Sequence, residues 1–330
     1  LRTPKSLSYS AFALWEKDPE EYFLRYLAEN RPARTLQERP AATGSAFDAR
    51  AKSELHAAVF GAGSDDRYSY ERLFEDQVEE HNRDWAGPEG DYVFACYKHT
   101  GFYDELLALL LKAKEPPRFE FTVEATLSGI PVLCKPDLRF VTEGVVHVVH
   151  DWKVNGYCSK SATSPHKAYM LCRDGFTSAK QNKSHNQEHK EYLGFVHGDL
   201  TINTTYMEAC HPEWADQLCL YGWALGEKIG DEKVVLQIHQ TVAKPMPVGR
   251  PQLRVSQYRA RVKHGHQLEL AVRINACWDA VESGHIFKDM SREDNDARMD
   301  VLNNMATALV SDGSDLENYF NESTRSRYRG

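Results

Sequence analysis

The chain has no run approaching the ~18 consecutive apolar residues that a membrane-spanning helix needs. Its seven cysteines, Cys96, Cys134, Cys158, Cys172, Cys210, Cys219 and Cys277, include no C-x-x-C pair, so no metal–thiolate frame is indicated. They read as core or incidental thiols in a reducing compartment. Positive charge is also short. With 40 Lys and Arg against 48 Asp and Glu, the formal net charge is −8. That balance argues against a protein that coats nucleic acid through a broadly basic surface, but not against one that confines a strand by local charge. The start, Leu-Arg-Thr-Pro-Lys, has neither Met nor an apolar core behind it, so a trimmed N-terminus and a cytoplasmic location are expected. At 330 residues and 42% hydrophobic content, the chain can bury one large core or two modest ones.

Two short pieces stand out. Between Pro136-Asp137 and Asp151-Trp152-Lys153 run two β-branched stretches broken by Thr142-Glu143-Gly144. This predicts a β-hairpin turning at Glu143-Gly144, with Asp137 brought level with His150 and Asp151. Asp151 and Lys153 are two apart and share one strand face. Two carboxylates that can share a divalent cation, beside an ammonium, suit metal-assisted phosphodiester hydrolysis. A D-x-K triplet alone is more often a solvated strand face. Here Asp151 follows Val-Val-His-Val-Val-His, a run suited to a buried strand, where a carboxylate needs a partner or a metal.

Elsewhere, residues 6–30 read as aromatic-rich helices, with Asp18-Pro19 opening the second. Residues 31–43 read as a polar loop, Gly44 to Val59 as a helix, and 60–90 as turns around a short helix. A Leu-rich helix spans 105–114. Alternation predicts one strand over 118–127, with Glu124 as a further acid or, in the competing reading, on the solvated face of an edge strand. Residues 154–195 are irregular and basic, with Lys160, Lys167, Lys180, Lys183 and Lys190 as candidate phosphate contacts and Tyr157 as a stacking surface. Strands are expected near 197–207, 233–243 and 253–262. A helix over 267–283 and a last helix capped by Ser291 follow.

Pro136-Asp137 with Asp151-Trp152-Lys153 resembles the signature of the PD-(D/E)XK nuclease superfamily. Three further segments resemble its RecB-like and lambda-exonuclease-like branch. Gln217 and Tyr221, on one helix face, are similar to a Q-x-x-x-Y motif; Gly44-Ser-Ala-Phe-Asp48 is similar to a G-x-x-x-H helix start; and residues 6–27 resemble the N-terminal helix pair. The resemblance implies an α/β, restriction-endonuclease-like core: a central mixed β-sheet flanked by helices. It implies one nuclease domain over 1–330, with a mainly helical part over 1–117, a catalytic core over 118–243, an elaboration over 244–310 and a loose tail over 311–330. The implied activity is a Mg²⁺- or Mn²⁺-dependent DNA exonuclease acting in recombination, repair or viral DNA processing. An endonuclease of the same chemistry, or a non-cutting binder of DNA ends, remain alternatives. Asp137 and Asp151 would hold the cation, with Asp48 and the Trp152 carbonyl assisting. Lys153 would position the attacking water or balance the developing phosphorane charge, Gln217 would orient Lys153 or the water, and Tyr221 would contact the scissile strand.

Two departures qualify the match. The family histidine is Asp48 here, which either replaces it as an oxygen ligand or merely serves the helix dipole, with His56 as a weaker substitute. Asp18 stands where iron–sulfur relatives carry cysteine, so no such cluster is expected. DNA ends, a recombinase or annealing partner, and further copies of the chain are the expected partners, with no membrane. The cell would be a bacterium or the host of a virus.

Overall fold

The structure, a computed structural model, describes residues 3–159, 162–173, 175–180, 195–204 and 206–311. The chain divides into two compact units. The smaller comprises Leu1–Thr35, Glu124–Cys134 and Leu268–Gly330, and the larger Leu36–Val123 and Lys135–Gln267.

The smaller unit holds helices α1 (Tyr9–Lys17) and α2 (Pro19–Tyr22), the latter running into a π-helical turn over Phe23–Leu27. Asp18 caps α2 by accepting the Glu21 N–H, and Pro19 occupies the first turn, as the sequence predicts. The second half of the segment read as one strand is β2 (Val123–Leu127), which pairs with β3 (Ile130–Cys134), and β3 in turn bridges to Leu7 through Val132. The Leu7 N–H donates to the Pro131 carbonyl at 2.8 Å. On the C-terminal side the Trp15 indole donates to the Ile286 carbonyl at 3.1 Å, and Arg298 pairs with Glu20.

In the larger unit three helices pack together: α3 (Arg39–Phe60), α4 (Tyr70–Gln77) and α5 (Glu80–His99), followed by α6 (Phe102–Leu111). Helix α3 starts five residues before the expected Gly44, because Pro40 is tolerated in a first turn and does not break the helix there. Helix α5 runs straight through Gly87-Pro88-Glu89-Gly90, which the sequence marks as a turn. Gly90 is there for contact: a Cβ on it would lie 2.5 Å from the Ala46 Cβ and 2.9 Å from the Ala46 carbonyl carbon. Only glycine lets α3 and α5 approach so closely.

The sheet of this unit has the order β1-β4-β5-β10-β11-β6-β7. Its members are β1 (Arg118–Phe119), β4 (Leu138–Val141), β5 (His147–Asn155), β6 (Tyr169–Arg173), β7 (Phe176–Lys180), β10 (Val234–Lys244) and β11 (Gln252–Ala260). β5 and β10 are parallel and the other neighbours antiparallel, giving a mixed sheet. The expected hairpin is present, with Leu138 opposite His150. The described part of the basic segment is partly regular: β6 and β7 extend the sheet beyond β11. A small hairpin, β8 (Phe195–His197) and β9 (Leu200–Ile202), precedes α7 (Met207–Cys210) and α8 (Pro212–Ala224). Helices α9 (His264–Ser283) and α10 (Arg292–Ser311) close the chain, and Ser291 accepts the Asp294 N–H at 3.1 Å. The predicted loose tail lies, from residue 312, outside the described residues. Among the described residues no helix is long and apolar enough to cross a membrane.

One side of the central strands is packed with polar groups. His239 Nδ1 faces the Tyr97 hydroxyl at 2.7 Å, and Gln237 Nε2 lies 3.1 Å from both His150 and His239. Arg259 donates to Gln237 at 2.7 Å and pairs with Glu105 at 2.7 Å. Burial lowers both histidines, His150 to about 3, so both rings are neutral.

Candidate functional site

The opposite side of β5 carries Asp151 and Lys153. The β4–β5 register places Asp137, just before β4, level with Asp151. One Asp137 oxygen, Oδ2, accepts the Trp152 N–H at 3.1 Å, and the two carboxyls are hydrogen-bonded to each other. Lys153 forms an ion pair with Asp151 Oδ2, although no donor reaches that buried oxygen with hydrogen-bond geometry. Lys153 also donates to Gln217 Oε1 at 2.7 Å, and Gln217 Nε2 donates to the Tyr221 hydroxyl at 2.8 Å. Gln217 and Tyr221 share one face of α8, so a chain of contacts runs from that helix to the acid pair.

From the other side comes a residue that sequence reasoning missed. Lys52, on α3 and only 2% exposed, places its ammonium 2.5 Å from Asp48 Oδ2, 2.9 Å from Asp137 Oδ1 and 3.0 Å from Glu120 Oε2. Gln77 holds the same Glu120 oxygen at 2.9 Å. Glu120 is the second missed residue. It sits where the predicted continuous strand breaks, at φ +25°, a conformation that strains any side-chain-bearing residue. The kink sends its carboxylate to Lys52 instead of along the strand. One signal for Lys52 was available: it lies one helical turn from Asp48. Nothing in the sequence marks Glu120.

Four carboxylates and two ammoniums thus share one site, in which Asp151 and Lys52 are buried and the other four are partly buried. Burial raises Asp151 well above the carboxylate range, with the charge of Asp137 adding to it. Burial also raises Asp48 to about 7 despite Lys52 beside it. Asp137 escapes the same effect because Lys52 and the hydrogen bond from Asp151 outweigh its burial, and it stays well below the usual range. Burial would deprotonate both lysines, but their carboxylate partners outweigh it and keep them charged. Within the acid pair, burial and mutual repulsion thus favour the protonated form on Asp151 and the ionised form on Asp137.

The signs give a pH prediction. A raised carboxyl keeps a proton in the folded state that the unfolded chain has lost. Its contribution is complete below the ordinary value of 3.8 and disappears as pH rises through about 7 for Asp48. Asp151 acts in the same direction. Asp137 acts oppositely, losing its contribution only in strong acid. In EDTA the urea midpoint is expected to fall between about pH 4 and pH 7, and Asp48→Asn to flatten that fall. A midpoint that rises over this range would contradict the charge assignment.

The remaining sequence candidates lie elsewhere. Glu124 is exposed on β2, in the smaller unit. His56 is buried among rings, stacked on Tyr68 at 4.1 Å. Tyr157 is a core residue, 3% exposed, bonded to Glu89 and packed on Trp85, so it offers no stacking surface. Lys167 is buried too, donating to the Asn203 carbonyl at 3.0 Å, and burial lowers it to about 7. It is no surface phosphate contact. Lys180 is exposed at the end of β7, while Lys160, Lys183 and Lys190 lie outside the described residues. Trp152 enters the site through its N–H.

Among the described residues no set of three or more Asp, Glu, His or Cys side chains is arranged around a metal position. The oxygens of Asp48, Glu120 and Asp137 converge instead on the Lys52 ammonium. Asp137 and Asp151, the latter ion-paired with Lys153, still form a hard-oxygen pair suited to Mg²⁺ or Mn²⁺. No protein-family model matches the chain, and no curated protein matches it.

Proposed function

We propose that the chain is a metal-dependent DNA nuclease on a restriction-endonuclease-like core, acting at DNA ends. The observation that supports this most is the hydrogen-bonded Asp137–Asp151 pair on one hairpin, with Lys153 tied through Gln217 to Tyr221. Asp137 and Asp151 would hold Mg²⁺ or Mn²⁺, which when bound supplies charge neutralisation at the phosphate and a more acidic water. The protein's own contributions follow from its geometry. Lys153, kept charged by the carboxylates around it, is placed to stabilise developing negative charge on a phosphate oxygen or to orient the water. Gln217 fixes the Lys153 ammonium through a part-buried hydrogen bond, and its second contact holds the Tyr221 hydroxyl, which would meet a strand. Burial excludes bulk water and strengthens each of these interactions.

One observation favours a second reading, a protein that binds DNA ends without cutting. Lys52 already contacts three of the four carboxylates and supplies one positive charge among them, which lowers the site's demand for a dication. Digestion separates the two. End-labelled linear duplex and closed circular plasmid are each incubated with the protein and Mg²⁺, Mn²⁺ or EDTA. Loss of linear DNA alone, abolished by EDTA, is the expected result. Cutting of the circle would replace the exonuclease reading with an endonuclease. Survival of both substrates, with binding retained, would leave the binding protein.

A further inference from the structure

Beside the carboxylate–lysine cluster a cavity of about 430 Å³ opens, and the site described so far makes no use of it. Two chain segments join the two places. His56, in the cavity wall, lies one turn of α3 beyond Lys52. Phe119 and Phe121, also in the wall, flank Glu120, whose carboxylate reaches Lys52. The kink at Glu120 thus sends the acid one way and presents aromatic neighbours to the cavity.

The wall is built of flat rings. His56 stacks on Tyr68 with the planes 12° apart, Phe119 packs edge-on against both, Phe60 lies tilted against His56 and edge-on to Phe119, and Phe60 remains 40% exposed. The Tyr68 hydroxyl donates to the Phe119 carbonyl at 2.6 Å, which fixes the ring in place. The rim is positive on a chain whose net charge is −8. Arg118 is exposed, lies 3.7 Å over the Phe121 ring, and pairs with no carboxylate among the described residues. Arg67, by contrast, is already held by both oxygens of Asp65. One uncommitted guanidinium therefore sits beside a ring-lined hollow of roughly the size that small-ligand sites occupy.

Aromatic faces with an adjacent guanidinium suit a nucleotide: the base stacks and the phosphate meets the cation. A base within a duplex has both faces covered by its neighbours, so only an unpaired one can enter. Resting on the reading of the neighbouring cluster as a phosphodiester site, we propose that this cavity receives an unpaired base at the end of a DNA strand, with Arg118 on its phosphate. The preferred substrate would then be a single-stranded or frayed end, not a closed duplex end.

The test is done in EDTA, where no cutting occurs, using a short single strand carrying 2-aminopurine at its terminal or an internal position. Terminal 2-aminopurine is expected to be quenched on binding, and the internal probe much less. Phe60→Ala and Arg118→Ala, both at exposed positions, are each expected to weaken binding by about tenfold, and Phe60→Ala to abolish the quench. Circular dichroism confirms that the variants are folded. Equal affinity for strand and blunt duplex, or a quench that both variants leave intact, would overturn the proposal even if digestion succeeds. A quench that persists in a protein without cutting activity would uphold the base site and remove the nuclease reading alone.

Discussion

Lys52→Met is expected to lose roughly 3–5 kcal/mol of stability in EDTA, the range for removing one partner of a buried ion pair, and to regain much of it with Mg²⁺ or Mn²⁺. The variant keeps the volume of the side chain and removes its charge, leaving Asp48, Glu120 and Asp137 with no cation at 2.5–3.0 Å. Two responses are open to the folded protein: the carboxyls take up protons, or a dication takes the place of the ammonium. Lowering the pH favours the first, adding metal the second, so urea titrations at two pH values with and without metal separate them. The wild type should gain much less from metal than the variant does. If metal stabilises both proteins equally, the dication binds away from Lys52, and the view that ammonium and metal compete for the same oxygens is wrong.

Asp151→Asn should lower the rate of DNA cutting by about a thousandfold or more, consistent with losing several kcal/mol of transition-state stabilisation. Its stability in EDTA should be unchanged or higher. The reason lies in the protonation of the acid pair: Asp151 is the partner that burial keeps protonated, so a neutral amide resembles its resting state. Asp137→Asn should behave differently, because Asp137 is the ionised partner on which Lys52 and the Trp152 N–H both depend. That variant is expected to lose both activity and stability. Measuring rates and urea midpoints for both variants checks the assignment. Equal destabilisation by the two would show that the proton is not localised on Asp151.

The parts of this site that follow local rules were legible in the sequence. The Asp137–Asp151 pairing comes from two β-branched runs and a Glu-Gly turn, and the Gln217–Tyr221 face from helical spacing. The cap at Asp18-Pro19 and the strand over 234–244 are equally local. What was hidden depends on contacts between distant segments. Gly87 to Gly90 has the composition of a turn, and only the neighbouring α3 explains its place inside a helix. Phe119-Glu120-Phe121 alternates as a strand should, and the attraction of Lys52 for Glu120 accompanies the break. Lys52 itself, an ordinary lysine among helical alanines, becomes central only when three carboxylates from separate segments surround it. Tyr157 and Lys167 were misread for the converse reason: a basic, polar stretch hides the few residues in it that pack inward.

The neutral histidine and glutamine layer on the reverse of β5 has a consequence for how this strand finds its place. A strand whose two sides were apolar could shift by one residue against β4 or β10 at modest penalty. Here a one-residue shift would turn Asp151 and Lys153 into the space occupied by His150 and Trp152, driving an acid and an ammonium among neutral, fully enclosed partners. It would simultaneously remove the Asp137–Asp151 contact and the tie to Gln217. Misaligned pairings are therefore disfavoured from both sides at once, and the chemistry of the strand doubles as its address within the sheet.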